Sequence, residues 1–234
     1  MQDGTLAQSG QGRRVRSFVR RTGRMTRAQE LALEVLWPRF GVESPMQVLD
    51  VQAIFGNSRP VTVEVGFGVG EHLLSRAASE PGRNFLGIDV HEPGVGRVLR
   101  EIEAQALQNV RLLCADAAEV LRSFIAAGSV NEIVIYFPDP WPKKRHHKRR
   151  LIQPEFAAFL TDALADHGCL RLATDWAEYA HQMREVLDVI PELRNCSAEG
   201  FVERPADRPL TRFERRGLRL GHEVFDLRFE RRPR

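Results

Sequence analysis

At 234 residues with 43% hydrophobic content, the chain can bury a full core and reads as one α/β domain with extensions. No apolar run approaches the length of a membrane span, and the polar, arginine-bearing N-terminus lacks a signal peptide's apolar region, so a cytoplasmic location is expected. The net charge of +3 conceals two basic segments, 1–27 and 143–150, each net +6, and the rest of the chain is net negative; a polyanion contact is thereby confined to two places.

Residues 1–24 are expected to form a flexible basic arm, and 25–234 the domain proper. The arm opens with Gly, Gln and Ser, then turns basic from Arg13 to Arg24, which suits either a solvated tail or a segment that orders on nucleic acid. Thr26-Arg-Ala-Gln29 has the spacing of a capping box, and Ala28, Leu31, Ala32, Val35 and Leu36 keep helical spacing up to Pro38. Residues 39–60 read as irregular. From Val61 the pattern becomes strand–turn–helix. Strands are predicted at 61–65, 84–90, 110–114, 131–137 and 169–173. Between them come helical faces: one from Glu71, one through Val95, Val98, Leu99, Ile102 and Ala106, a short one over 117–127, and one through Phe156, Phe159, Leu160, Ala163 and Leu164. A further helix carries Trp176, Tyr179, Ala180, Met183, Leu187 and Ile190. Such βα units predict a Rossmann-like, mostly parallel sheet covered on both faces. Phe225, Leu227 and Phe229 alternate with Asp226, Arg228 and Glu230, which predicts a half-exposed antiparallel C-terminal strand. Cys114, Cys169 and Cys196 are odd in number and show no paired-ligand spacing. With Cys114 and Cys169 on predicted strands, they read as buried thiols rather than disulfides or a metal site.

The most informative stretch runs from Asn131 to Arg150. Ile133 to Phe137 is a continuous apolar run, the signature of a buried central strand. Pro138, Pro140 and Pro142 then remove backbone donors and fix φ, which makes a stiff turn carrying Asp139 and Trp141 at the strand's carboxyl end. Six cations follow within Lys143 to Arg150. A carboxylate, an indole and a cationic run in one place suit a planar, hydrogen-bonding, phosphate-bearing substrate, such as a base in nucleic acid. Trp141 reads equally well as a stacking surface or as a plug behind the loop. His146 and His147 have no partner at ligand spacing, so they read as phosphate-facing or solvated, and no metal is expected.

In open parallel sheets ligands bind beyond the carboxyl ends of the strands. Each such end here carries an acid: Glu64, Asp89, Asp116, Asp139 and Asp175. Gly66, Gly68 and Gly70 form a tight turn after the first strand, a device shared by dinucleotide and S-adenosylmethionine sites. The third glycine comes one residue too early for a dinucleotide fingerprint. Glu64 would also repel a pyrophosphate but attract the ammonium of a methionine moiety. Asp89 suits ribose hydroxyls and Asp116 an adenine amino group. The cofactor reading is therefore S-adenosylmethionine, with NAD second.

Glu64 to Gly70, Gly87 to Gly96, Phe137 to Arg150, Ala173 to Trp176 and Arg208 to Gly217, with Arg16 to Arg20 and Gly23 to Thr26, resemble the bacterial tRNA (guanine-N7)-methyltransferase family. The resemblance covers nearly everything after residue 13. It implies a class I methyltransferase fold acting on guanosine 46 in the tRNA variable loop; the sequence itself requires no protein partner, which leaves a monomer or a homodimer. It implies further that Glu64, Gly66, Gly68, Gly70, Asp89, Asp116 and Asp139 contact the cofactor region, with Asp139 catalytic. Lys143, Asp175, Thr211, Arg212, Phe213 and Glu214 would contact substrate, and Arg145, His146, His147, Lys148, Arg149 and Arg150 the RNA. Pro142, Asp89, Arg212 and Phe225 stand where His, Glu, Lys and Trp are usual. Two rival classes are a small-molecule or protein methyltransferase, which leaves Lys143 to Arg150 without a purpose, and a non-catalytic RNA-binding protein, against which the intact Glu64, glycine turn and Asp139 speak.

Overall fold

A computed structural model describes Ser17 and residues 24–43, 47–210, 212–219, 221 and 223–234, without the side chains of residues 212, 213, 216 and 218. The basic arm therefore lies outside the described residues, Ser17 and Arg24 excepted. The elements follow in the order α1 (Arg27–Phe40), β1 (Gly41–Val42), β2 (Val61–Val65), α2 (Glu71–Ser79), β3 (Asn84–Asp89), α3 (Glu92–Ala104), β4 (Val110–Cys114), α4 (Ala117–Ser123) and β5 (Val130–Tyr136). A 3-10 helix (Lys144–Arg149) precedes α5 (Pro154–Ala163), β6 (Leu164–Thr174), α6 (Ala177–Asp188), β7 (Leu193–Asn195), α7 (Arg212–Arg219) and β8 (Phe225–Arg231).

The strands form one sheet in the order β1-β4-β3-β2-β5-β6-β8-β7. All pairs are parallel except β6 with β8 and β8 with β7. The chain builds outward from β2 in one direction through β3 and β4, then returns to build β5 and β6 on the other side. The reversal lies between β2 and β5, and open sheets of this kind bind ligands in the crevice that opens at such a point.

The two faces of the sheet differ. On one, Val61, Val63, Val65, Ile133, Ile135, Leu170, Leu172, Leu227 and Phe229 pack with α4, α5 and α6 in a continuous apolar core. On the other, α1, α2 and α3 pack over Phe85, Val110 and Leu112, but toward β5, β6 and β8 that face turns polar. Glu132 there is 4% exposed and accepts from Thr62 Oγ1 at 2.9 Å, with Arg76 Nη2 at 3.0 Å and Arg171 Nε at 2.8 Å. Burial disfavours the Glu132 carboxylate, yet Arg171 and Arg76 outweigh it and hold that carboxyl below its ordinary range. The cost of burying these charges is met by mutual pairing.

Several elements differ from the sequence expectation. α1 runs past Pro38 to Phe40, its last turn closed by Gly41 N–H donating to Trp37 O and by burial of Phe40. α3 ends at Ala104, and Ala106 adopts φ +52° beyond it. Leu164, placed on a helix by its spacing, instead opens β6 and pairs with Val130. β1, β7 and α7 were not expected. Asp226 was expected on the solvent side of the last strand but is 3% exposed, because Arg208 covers it. Cys114 and Cys169 are only half-buried and Cys196 is exposed; all three are free thiols. No helix of the described residues is long and apolar enough to cross a membrane.

Candidate active site

The glycine turn after β2 is built by conformation. Gly66, Gly68 and Gly70 have φ of +73°, +57° and +77°, a region that side chains disfavour. At Gly66 and Gly68 a Cβ would meet nothing within 4 Å, so the backbone there faces open space; at Gly70 it would strike Val98. Asp89 holds this turn against β3. Its Oδ2 accepts from Gly68 N–H at 2.8 Å and its Oδ1 from His91 N–H at 2.9 Å. Gly66 N–H donates to Ile88 O at 2.8 Å. Asp116 caps α4 by accepting from Ala118 N–H at 3.0 Å.

The proline turn faces these groups from β5. Phe137 and Trp141 take φ of +52° and +45°, so two non-glycine residues in the left-handed region bracket Asp139. Such strain costs on the order of 1–2 kcal/mol per residue and persists only where the surroundings impose it. Here Phe137 N–H donates to Ala173 O at 2.8 Å, Trp141 Nε1 to Ser17 O at 3.0 Å, and Arg150 Nε to Pro140 O at 2.8 Å. The turn is tied to a strand, to the Ser17 carbonyl and to its own basic tail.

A cavity of about 200 Å³ lies between the two turns. Asp89, Asp116 and Asp139 all line it, together with Gly66, over an apolar floor of Ile88, Val90, Ala115 and Leu151. Three of the five predicted carboxylates are thus brought to one space. Glu64 lies beneath the glycine turn, 5% exposed, with Oε2 2.7 Å from His72 Nδ1. Asp175 follows β6 and is half-buried. Thr211 and the side chains of Arg212 and Phe213 lie outside the described residues. Glu214 is buried and accepts from Arg208 Nη1 at 2.7 Å.

The basic run separates into two faces. Lys143, Lys144, Arg145 and Lys148 are exposed. His146 and His147 are half-buried: His146 meets the Trp141 ring edge-on at 5.9 Å, and His147 Nε2 lies 3.5 Å from Glu178 Oε1. Desolvation and the cations Arg145, Arg149, Lys143 and Lys148 push the His146 pKa below its ordinary value. The Arg149 guanidinium covers the Trp141 ring at 4.1 Å, so one indole face is already stacked. Arg150, expected among the RNA contacts, points inward and is 2% exposed. No group of three or more metal-ligating side chains occurs among the described residues.

Sequence reasoning missed Arg208. It is fully buried, donates to Glu214 and to Asp226 Oδ2 at 2.8 Å, and lies over the rings of Tyr136 and Phe137 at 5.5 and 5.6 Å, directly behind the proline turn. Its neighbour Asp207 accepts from Arg171 Nη1 at 2.7 Å, so these two adjacent residues staple the loop at 204–210 to the sheet. The available signal was charge inside strands: Glu132 and Arg171 sit within otherwise apolar runs and needed partners.

A family model described as "Putative methyltransferase" matches residues 58–227. The chain is 53% identical over 230 residues to a tRNA (guanine-N(7)-)-methyltransferase of Alkalilimnicola ehrlichii, covering 97% of each. It is 49% identical over 232 residues to one of Pseudomonas aeruginosa, covering 97% of this chain and 95% of that relative. Among solved structures, the aminoglycoside resistance methyltransferase NpmB1 aligns with a TM-score of 0.55 at 16% identity, over 82% of this chain and 98% of that one. At that identity the likeness is one of fold.

Proposed function

This chain belongs to the tRNA (guanine-N7)-methyltransferase family, and from that premise we propose that it transfers the methyl group of S-adenosylmethionine to N7 of guanosine 46 in the variable loop of tRNA. The observation that carries this reading is the convergence of Asp89, Asp116 and Asp139 on one cavity, with exposed cations beginning four residues beyond Asp139.

The residues present fit S-adenosylmethionine. The apolar floor suits a flat adenine, and Asp116, which lines the same cavity, offers an acceptor for an exocyclic amino group. A carboxylate offers about four acceptor sites, so Asp89 can take ribose hydroxyls while it holds the two backbone donors. Glu64 supplies negative charge for the methionine ammonium beside the glycine turn. Bound there, the cofactor supplies an electrophilic sulfonium methyl.

Guanine N7 carries an in-plane lone pair and no proton, so the site has to align the ring rather than deprotonate it. The ring becomes cationic as the methyl arrives, and Asp139, fixed in a strained turn, supplies negative charge to meet it. Lys143, Asp175, Thr211, Arg212 and Phe213 are assigned to the guanosine and its neighbours, and Glu214, buried and held by Arg208, to positioning them. Lys144, Arg145 and Lys148 are assigned to phosphates. A tRNA substrate puts the enzyme in the cytoplasm, and no metal is given a part.

Incubation with labelled S-adenosylmethionine and unmodified bulk tRNA, followed by nucleoside analysis, tests the reading. Label is expected in 7-methylguanosine, and it should vanish for a transcript with adenosine at position 46. Label in another nucleoside, or none in tRNA, overturns the proposal.

A further inference from the structure

Within the run Lys143 to Arg150 one cation faces the other way. Arg150 is 2% exposed, whereas Lys143, Lys144, Arg145 and Lys148 stand in solvent. Two nitrogens of its guanidinium are held by hydrogen bonds: Nε donates to Pro140 O at 2.8 Å and Nη1 donates to Gln182 Oε1. Nη2 makes no hydrogen bond and lies 3.7 Å from Oε1 of the exposed Glu178, an ion-pair distance. The plane sits over the Tyr179 ring at 5.0 Å, and the Tyr179 hydroxyl accepts from Ile152 N–H at 3.0 Å. Glu178, Tyr179 and Gln182 all belong to α6, so one helix supplies the socket. Contact with a phosphate would require the buried Arg150 side chain to leave these partners, and the half-buried Pro140 carbonyl and Gln182 amide would lose their hydrogen bonds.

The Pro140 carbonyl belongs to the residue directly after Asp139. The three prolines of this turn have no N–H, which leaves Asp139 and Trp141 as its only backbone donors and few bonds of its own to secure it. Arg150 provides from outside what the prolines remove. We propose that Arg150 is a positioning residue, anchoring the Pro138–Pro142 turn to α6 and thereby holding Asp139 against the cavity, and that it is not an RNA contact. The role of Asp139 rests on the function proposed above; the anchoring itself does not.

The test compares Arg150→Met and Arg150→Lys with wild type by single-turnover methylation, salt dependence of tRNA binding, and amide exchange of peptides covering residues 137–149. Arg150→Met is expected to slow methylation by about 10- to 100-fold, the size of effect that a displacement of about 1 Å at a reacting centre can produce. Arg150→Lys, which keeps a donor for Pro140, should recover part of that rate. In an Asp139→Asn background Arg150→Met should cost less than about threefold, because little is left to position. The tRNA salt slope should stay unchanged, whereas removal of a phosphate-binding cation would lower it by about one. Exchange over 137–149 should accelerate. A salt slope reduced by one, a loss fully additive with Asp139→Asn, or unchanged exchange overturns the proposal. Should Arg150→Met fail to fold, Gln182→Leu removes one acceptor of the socket and is expected to raise the same exchange with the slope unchanged; unaltered exchange there also overturns it. A wild type inactive on tRNA would defeat the functional reading, while the slope and exchange results would still decide the anchor.

Discussion

Glu64 and His72 meet beneath the glycine turn, Oε2 to Nδ1 at 2.7 Å, with both residues buried. His72 is the second residue of α2, and its ring stands edge-on to Tyr136 at 4.9 Å. The imidazole therefore fixes the orientation of a carboxylate that the functional reading assigns to the methionine ammonium. Glu64→Gln keeps the shape and a hydrogen-bonding oxygen but removes the charge. Calorimetry should find S-adenosylmethionine bound about 1.5–3 kcal/mol more weakly, the worth of one charge-assisted hydrogen bond. 5′-Methylthioadenosine, which lacks the amino-acid part, should bind as before. An equal loss for both ligands would show that the turn had collapsed instead.

The outward cations should be read by salt, not by affinity alone. Lys144→Ala, Arg145→Ala and Lys148→Ala together should flatten the salt dependence of tRNA binding by about two to three in slope, roughly one for each phosphate no longer neutralised. Cofactor affinity should not move, since none of the three lines the cavity. An unchanged slope would make this surface a solvated face.

Arg208 is one buried cation shared by two carboxylates, Glu214 and Asp226. Burial pushes the Asp226 pKa up to about 6, against the pull of Arg208. An acid whose pKa is higher folded than unfolded binds more protons in the native state between the two values. Its contribution to stability therefore falls as pH rises from about 4 to about 6. Asp226→Asn removes that titration. Urea unfolding should show wild type losing about 2 kcal/mol relative to the variant across this window, because a tenfold change in proton affinity is worth about 1.4 kcal/mol. Glu132 and Asp207, whose pKa values lie below their ordinary range, drive stability the other way but are present in both proteins and cancel in the difference. A difference independent of pH would place the Asp226 pKa at its ordinary value.

What could be read from the sequence was whatever repeats with the βα period. Strands β2 to β5 announce themselves as apolar runs, and Asp89, Asp116 and Asp139 fall at their carboxyl ends because the period puts them there. β1 and β7, at two and three residues, are too short for any pattern; pairing with β4 and β8 creates them. α7 carries Arg-Phe-Glu-Arg-Arg-Gly-Leu-Arg, whose arginines at 212, 215, 216 and 219 do keep a helical period, but eight residues so poor in apolar side chains do not announce a buried face. Asp226 broke the alternation of β8 because its partner, Arg208, comes from a loop that sequence spacing does not locate. Arg150 was hidden for a related reason: composition shows a cationic run, but which member turns inward depends on α6, folded from residues further along the chain.

Asp139 should act by position and charge. Its carboxylate is exposed toward the cavity in a turn pinned at Phe137, Pro140 and Trp141, so it is placed before substrate arrives. N7 has no proton to remove, and the ring gains positive charge as the methyl transfers. Asp139→Asn should retain S-adenosylmethionine and tRNA binding while lowering kcat by about 10²- to 10³-fold, the loss seen when one preorganised electrostatic stabiliser is removed. Asp139→Ala should be at least as damaging. Because no proton has to leave N7, the wild-type single-turnover rate should be nearly flat from about pH 7 to about pH 9. A steep rise in that window, abolished by the Asn substitution, would establish proton abstraction in its place. Full activity of the Asn variant would remove Asp139 from the catalytic machinery.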